Sequence, residues 1–212
     1  MRAFPLLLLL TLAGCARERV VDRPGAITTA PRASADLLQC FGHLRAAGVA
    51  FEPLPDREPS PGCPISGTVK LTEIGTPVTN LGALTCPLAG AFAAWTRHAV
   101  QPAALIAFGQ PVAKVETMGS YACRTVAGSS RLSEHARANA VDVGGVVLAD
   151  GRRVTVKAGW SGAPDEQRFL RLIHDSACRR FGSVLSPDYN AAHADHLHLD
   201  MAPVGKMGRF CR

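Results

Sequence analysis

The sequence predicts an α+β fold, in which a small and mostly antiparallel sheet is flanked by helices. Residues 112–118 and 140–148 have the composition of strands, and the Asp150-Gly151 turn after the second of them is typical of a hairpin. Residues 165–181 carry an apolar stripe at helical spacing. The hairpin favours antiparallel pairing of the strands, and the helix has one apolar face with which to cover them.

The other elements of the N-terminal half follow from helix and turn signals. A short helix over residues 37–47 ends at Gly48, and the prolines and glycines of residues 53–68 predict a loop. Two further helices are predicted over residues 88–98 and 102–108, of which Pro102 opens the second.

In the C-terminal half, the second strand of the hairpin is predicted over residues 153–157. The helix of residues 165–181 is stopped by Gly182. Its His174 lies beside the apolar stripe and is interpreted as structural or exposed. A last strand is predicted over residues 195–201.

The N-terminus predicts export. Arg2 is followed by an apolar run over residues 6–13, which is shorter than the roughly 20 residues that a membrane-spanning helix needs. The run ends in Leu12-Ala13-Gly14-Cys15, which resembles a bacterial lipobox. This predicts a signal peptide over residues 1–14 and a lipid on Cys15 that anchors the protein to a membrane. The alternative is an ordinary signal peptide cut at a nearby small residue.

Residues 15–36 are rich in Arg, Pro, Thr and Ala and predict a tether, which leaves residues 37–212 as one domain. The expected location is the cell envelope, on the periplasmic side, with the outer membrane favoured over the inner. The net charge is +6, but the arginines are scattered, so no nucleic-acid binding is expected.

Six cysteines remain when Cys15 is assigned to the lipid, and an even number in an exported protein predicts three disulfides. Six cysteines allow fifteen pairings, among which the sequence does not choose. No two of them form a Cys-x-x-Cys pair, so disulfides are favoured over a zinc site made of thiolates.

Two short motifs concentrate the chemistry of the chain. In one, His135 precedes Asp142; in the other, His196, His198 and Asp200 alternate, so that in a strand they share one face. Two imidazoles and one carboxylate are the ligand set of a zinc ion that keeps one position open, as in catalytic sites. Either motif alone is a weak signal, because isolated histidines more often decorate a surface.

The motif Ser133-x-His135-x-x-Ala138-x-Ala140-x-Asp142 resembles the Ser-x-His-x-x-Gly-x-Ala-x-Asp signature of the D-alanyl-D-alanine carboxypeptidase and dipeptidase group of zinc peptidases. A closer resemblance, from about residue 40 to 212, is to the bacterial extensin-like C-terminal domain, which is placed in the same superfamily as murein endopeptidases. The matching segments are Gly119-Ser120-Tyr121-x-Cys123-Arg124, Ser133-Glu134-His135-Ala136-Arg137 and His193-x-Asp195-His196-x-His198-x-Asp200.

The resemblance implies a zinc D-Ala-D-Ala peptidase-like core in which His135, Asp142 and His198 bind Zn²⁺. It makes His196 the candidate general base, unless this histidine only holds the site rigid. Asp195 is a rival base, because it lies three residues before His198, where carboxypeptidase relatives place a glutamate.

Arg124 matches an arginine that steadies an oxyanion or a substrate carboxylate, and the alternative is an ordinary surface arginine. Asp200 is expected to fix a histidine tautomer rather than to bind the metal. His193 either lines the cleft or caps a loop, and the loop is favoured. Ala138 stands where the family pattern has glycine, which would cost about 1 kcal/mol if the position needs a positive φ. No Glu-x-Trp-His is present, so specificity for D-Ala-D-Ala is not indicated.

These observations together predict a zinc-dependent hydrolase that cleaves amide bonds in peptidoglycan stem peptides or cross-links. A non-catalytic wall-binding or scaffolding lipoprotein, whose metal only stabilises the fold, is the main alternative. A metal hydrolase acting on a non-peptide amide or ester is a third, because motifs do not describe the walls of a cleft.

Overall fold

A computed structural model of the chain describes residues 34–205 and 208–212. The predicted signal peptide, the lipid on Cys15 and most of the tether lie outside these residues. The α-helices are α1 (Ala35–Ala46), α2 (Cys86–Trp95), α3 (Gln101–Phe108), α4 (Val156–Gly159) and α5 (Pro164–Cys178). The strands are β1 (Ala50–Pro53), β2 (Thr68–Glu73), β3 (Val78–Thr79), β4 (Leu84–Thr85), β5 (Val112–Gly119), β6 (Ala140–Leu148), β7 (Arg153–Thr155), β8 (Ser183–Leu185), β9 (Leu197–Asp200) and β10 (Phe210–Cys211).

The predicted α+β class is confirmed, but the strands form two sheets and one of them is mixed. The smaller sheet has the antiparallel order β1-β2-β4. The larger has the order β10-β8-β9-β6-β5-β3, with β7 paired to β6. Its two outer pairs, β3 with β5 and β10 with β8, are parallel. Most strand pairs are antiparallel, as predicted, but the prediction of a single small sheet is wrong. The parallel pairing of β3 with β5 is possible because the chain passes from β3 to β5 through the α2–α3 crossover.

The two helices predicted over residues 88–98 and 102–108 are one continuous helical segment. A π-helical turn, Thr96–Val100, joins α2 directly to α3. Pro102 stands at the start of α3 and does not interrupt the segment. The helix predicted over residues 37–47 begins two residues earlier, because the Ser34 hydroxyl accepts a hydrogen bond from the Leu37 N–H at 3.2 Å and caps α1.

Two predicted boundaries in the C-terminal half are wrong. The hairpin strand stops at Thr155, whose hydroxyl caps α4 by accepting from the Ala158 N–H, so residues 156–157 are helical. Helix α5 ends at Cys178 and not at residue 181. Gly182 has no positive φ; a Cβ there would collide with the carbonyl of Ala202, so close packing explains this glycine.

A third boundary affects the site. The last strand begins at Leu197, so Asp195 and His196 precede it, and strand alternation does not place His196. Within β9, Leu197 and Leu199 are fully buried on the core side, as predicted.

The main core lies between the larger sheet and the helices α2, α3 and α5. Its largest fully buried side chains include Phe92, Trp95, Phe169 and Phe181. The indole N–H of Trp95 donates to the carbonyl of Ile173 at 3.0 Å, which ties α2 to α5. This core holds one face of the sheet rigid and leaves the other face of β6 and β9 for polar residues.

Three disulfides are present, as the cysteine count predicts. They join Cys40 to Cys86, Cys63 to Cys123 and Cys178 to Cys211. The first links α1 to α2, and the last links α5 to β10. In the part of the chain that the structure describes, no helix has both the length and the apolar character needed to cross a bilayer.

Candidate metal centre

The pairing of β6 with β9 brings together two of the predicted ligands. Asp142 and His198 are directly opposite each other in this antiparallel pair. Side chains of opposed residues share a face of the sheet and lie close to each other. Two residues that are 56 positions apart in sequence thus meet, on the face opposite to Leu197 and Leu199.

The third predicted ligand comes from a short turn that precedes β6. Residues Glu134–Arg137 form a 3₁₀ turn, and the Ser133 hydroxyl accepts from the His135 N–H at 3.3 Å. Ser133 therefore orients the turn, and the imidazole of His135 is directed towards the sheet with 3% of its surface exposed.

The same turn is closed by a residue in the left-handed region. Ala138 has a φ of 53°, so the position that carries glycine in the family pattern does adopt a positive φ. Its carbonyl accepts from the Thr85 N–H at 2.9 Å, and the Thr85 hydroxyl bonds the Asn139 side chain at 2.8 Å. These two hydrogen bonds hold the strained alanine in place.

Three donor atoms meet in a tight triangle. The distance from His135 Nε2 to Asp142 Oδ1 is 3.2 Å, and His198 Nδ1 lies 3.0 Å from each of these atoms. All three predicted zinc ligands are therefore brought together.

The outward-facing ring nitrogens fix the tautomers of both histidines. His135 Nδ1 donates to the Ser120 carbonyl at 3.0 Å, and His198 Nε2 donates to Asp200 Oδ2 at 3.0 Å. In neutral imidazoles this leaves His135 Nε2 and His198 Nδ1 with lone pairs, which face each other and the Asp142 carboxylate. Three electron-rich atoms at this separation need a cation or protons between them.

The donor set fits a zinc ion. A tetrahedral zinc with ligands at about 2.0–2.1 Å separates its donor atoms by about 3.3 Å, close to the observed distances. A carboxylate or a carbonyl behind each ligating histidine is the usual arrangement at metal sites. The set supplies three protein ligands, whereas a structural zinc site takes four.

The ionisation of these groups reflects their crowding. Burial raises the pKa of the Asp142 carboxyl, but its close contacts with the His135 and His198 rings outweigh burial and hold this pKa well below its usual range. Burial lowers the pKa of His198, but the bonds to Asp142 and Asp200 raise it to about 9. Without a metal, a proton on His198 therefore offsets the carboxylate charges, which makes this imidazole the proton-bearing group of the cluster.

His196 lies at the edge of the triangle although it precedes the strand. Its Nδ1 donates to Asp195 Oδ1 at 2.8 Å, and its Nε2 lies 3.6 Å from Asp142 Oδ1. Asp195, half-exposed, contacts the far side of the His196 ring and is not among the converging donors. The two candidate bases are thus arranged in series.

Arg124 and His193 border the cluster on the loop side. The His193 ring centroid lies 5.1 Å from that of His196 and 6.0 Å from that of His198. Burial lowers the pKa of His193 to about 4, with smaller contributions from the charges of His196, His198 and Arg124. The Arg124 side chain is exposed, and its charge acts on this imidazole. His193 ends a 3₁₀ turn, Ala191–His193, and its ring lines the cluster, so the favoured loop position is wrong and the other predicted possibility describes the residue better.

Ser120 was not predicted to act at the site. Its carbonyl accepts from His135, and its hydroxyl accepts from the Gly82 N–H at 3.1 Å. Every residue has a backbone carbonyl, so the identity of residue 120 does not indicate this role. Only the position of Ser120 directly after β5 could have indicated it.

Comparison with known families identifies the domain. The family model described as "Extensin-like protein C-terminus" matches residues 38–212. The chain belongs to this family. The extensin-like domain thus includes the whole centre, and the resemblance predicted from the sequence is confirmed at the level of the family. No curated protein and no solved structure matches the chain.

Proposed function

We propose that this extensin-like protein is a zinc-dependent hydrolase of the cell envelope that cleaves amide bonds in peptidoglycan stem peptides or cross-links. The observation that carries the proposal is the triangle of His135 Nε2, Asp142 Oδ1 and His198 Nδ1, with sides of 3.0–3.2 Å and both outer ring nitrogens already bonded. The envelope location and the lipid anchor on Cys15 belong to the same proposal and rest on the N-terminal sequence.

His135, Asp142 and His198 would hold the zinc. When bound, zinc supplies a Lewis acid that lowers the pKa of water to about 7 and polarises a substrate carbonyl. The resemblance of Ser133-x-His135 through Asp142 to zinc peptidases supports this choice of metal and a zinc peptidase-like core.

In this proposal His196 is the general base. Because Asp195 accepts from Nδ1, the Nε2 of His196 carries the lone pair and can take a proton from a water in the cluster. The same nitrogen can then donate that proton to the leaving amine. In this proposal Asp195 acts through His196 as a positioning residue, because its carboxylate bonds the far side of the His196 ring.

Arg124 would bind the anionic part of the substrate or of the transition state. Its exposed guanidinium lies on the loop side of the cluster, where it acts on the charge of His193. A cation at this border suits a peptide that carries a free carboxylate, as peptidoglycan stem peptides do.

The test is to incubate purified wall sacculi with zinc-loaded protein and with its His196→Ala variant, and to analyse the released fragments. The wild type should release peptide-bond products, and the variant should be slower by about 10²–10⁴-fold. The His43→Ala variant, which changes an exposed histidine on α1, is the matched control and should be fully active.

Zinc binding by His196→Ala should match that of the wild type, which separates a catalytic loss from a loss of metal. Intact muropeptides from every variant would overturn the proposal in favour of a wall-binding lipoprotein. Equal release by wild type and His196→Ala would remove His196 as the base and return that role to Asp195.

A further inference from the structure

A second group of potential metal donors lies outside the centre, around the disulfide that joins α5 to β10. His174 Nε2 lies 3.7 Å from Cys178 Sγ and 3.6 Å from Cys211 Sγ. The three donor atoms lie within 4.8 Å of one another, as do those of the main centre. A single nitrogen is thus nearly equidistant from both sulfurs of one disulfide.

These distances have a definite meaning in zinc chemistry. With Zn–S of about 2.3 Å and Zn–N of about 2.0–2.1 Å, tetrahedral angles place a nitrogen about 3.6 Å from each thiolate sulfur. The histidine therefore already stands at the separation that a shared zinc ion would impose. In such a site the two sulfurs would be about 3.8 Å apart, so only the sulfur–sulfur separation would have to widen.

His174 is held for this role by its surroundings. Its Nδ1 donates to Asp175 Oδ1 at 3.1 Å, which leaves Nε2 with the lone pair on the side of the sulfurs. The Trp160 ring packs edge-on against the imidazole at 5.7 Å, and the Trp160 indole N–H is itself bonded to Asp188 at 2.8 Å. Only 14% of the His174 side chain is exposed. A histidine backed by a carboxylate is the pattern found at metal sites.

Arginines adjoin both cysteines in the sequence. Arg179 and Arg180 directly follow Cys178, and Arg212 follows Cys211. Cations near a metal site with two thiolates would offset part of its negative charge. They also offset the negative end of α5, where Cys178 is the last residue.

We propose that His174, Cys178 and Cys211 form a second metal site that is closed while the disulfide exists and opens when it is reduced. A dithiol reductant, such as a thiol–disulfide oxidoreductase, transfers two electrons to the disulfide and is itself oxidised to a disulfide. Two thiols result, and a borderline or soft cation such as Zn²⁺ displaces both of their protons on binding. The disulfide and the metal are thus alternative occupants of one place in the fold.

The site is tested on the full domain with Zn²⁺ and Co²⁺ alone as probes. The protein is reduced with dithiothreitol, desalted without oxygen and titrated against a chromophoric chelator, and its free thiols are mapped by alkylation. Reduced protein should bind one more Zn²⁺ than oxidised protein, and Co²⁺ should give thiolate charge-transfer absorption. The extra site should be lost in Cys178→Ser.

His174→Ala decides whether the histidine belongs to the site. This variant keeps the disulfide, so its oxidised form can be checked for folding, and it should weaken the extra site more than tenfold after reduction. His43→Ala is the matched control, because His43 is an exposed histidine three residues after Cys40, a cysteine of another disulfide. It should leave the extra site unchanged.

A second measurement uses the redox equilibrium. In a glutathione titration, Zn²⁺ should increase the reduced fraction of Cys178 and Cys211 in the wild type but much less in His174→Ala. Equal zinc binding before and after reduction would overturn the proposal, as would wild-type behaviour of His174→Ala. Loss of the fold on reduction of this disulfide would also overturn it, since no site would then remain.

Discussion

The cluster of His135, Asp142 and His198 and the cluster of His174, Cys178 and Cys211 contain similar parts in different settings. Each has three donors within 4.8 Å of one another, and in each a histidine donates its one ring N–H to a neighbouring carboxylate. In the first, the ligands project from a turn and from two adjacent strands. The lone pairs of two imidazole nitrogens and one carboxylate oxygen face one another there. In the second, two of the donors have already combined with each other.

The difference teaches what keeps a metal site available. A carboxylate and two imidazoles cannot bond covalently to one another, so only protons or a cation can relieve the repulsion between their facing lone pairs. Two thiols can be oxidised, and the disulfide removes the metal ligands without moving the histidine. In our proposals, similar groups of three donors thus form a metal site that is always available in one place and only after reduction in the other.

Removing a ligand should produce the largest difference in Zn²⁺ affinity between variants of the two clusters. Asp142→Ala in the oxidised protein should weaken Zn²⁺ binding by more than about 1,000-fold, or about 4 kcal/mol, because only two ligands remain. His174→Ala, which alters the other cluster, should leave the affinity of the oxidised protein unchanged. Chelator competition measures both, and an equal loss in the two variants would mean that the first cluster is not the zinc site.

Removing the disulfide should have the next largest effect. Cys178→Ser with Cys211→Ser opens a loop with a sequence separation of 33 residues, and this should lower the free energy of unfolding by about 3–4 kcal/mol. Zinc affinity at the first cluster should persist in the folded double variant. Chemical denaturation measures the stability, and a loss under 1 kcal/mol would show that the bridge constrains the unfolded chain little.

A smaller difference in Zn²⁺ affinity is expected from the carboxylates that bond His198 and His174, which are Asp200 and Asp175. Asp200 is buried, with 6% of its surface exposed, whereas 67% of the Asp175 side chain is exposed. Asp200→Asn should weaken Zn²⁺ binding by the oxidised protein by about 10–100-fold, because the amide no longer fixes His198. Asp175→Asn is the matched control and should have no effect there; an effect of equal size would exclude a direct role for Asp200.

The smallest effect is expected at Ala138. Glycine at this position would remove the backbone strain of a left-handed alanine, which costs about 1–2 kcal/mol. It would also lose a buried methyl group worth about 0.8 kcal/mol and add up to about 1 kcal/mol of unfolded-chain entropy. The terms nearly cancel, so Ala138→Gly should change the free energy of unfolding by less than about 1 kcal/mol. A larger destabilisation in thermal or chemical denaturation would mean that the methyl group shapes the His135 turn.

The sequence predicted the parts of the fold whose signals are local. Strand β6 has the predicted bounds, and the three ligands converge as their motifs implied. Other features depend on distant partners. The two-residue strand β3 exists only because β5 lies beside it, and the position of His196 depends on the turn that leads into β9 rather than on strand alternation.

The support given to His135 by the Ser120 carbonyl was equally beyond prediction, because every residue type has a carbonyl. Strand alternation could not place His196 for a related reason: alternation applies only inside a strand, and His196 lies before the first residue of β9. The pairing of the cysteines likewise required the spatial arrangement of α1, α2, α5 and β10.

The direct opposition of Asp142 and His198 across β6 and β9 makes cation affinity a reporter of strand register. A slip of one position would turn one of the two side chains to the core face, so an unfolded or misregistered chain offers no such site. By mass action, zinc at 100 times its dissociation constant would then add about 2.7 kcal/mol to the correctly paired state alone. A calorimetric scan with and without the ion would thereby read out whether these two strands have met in the right alignment.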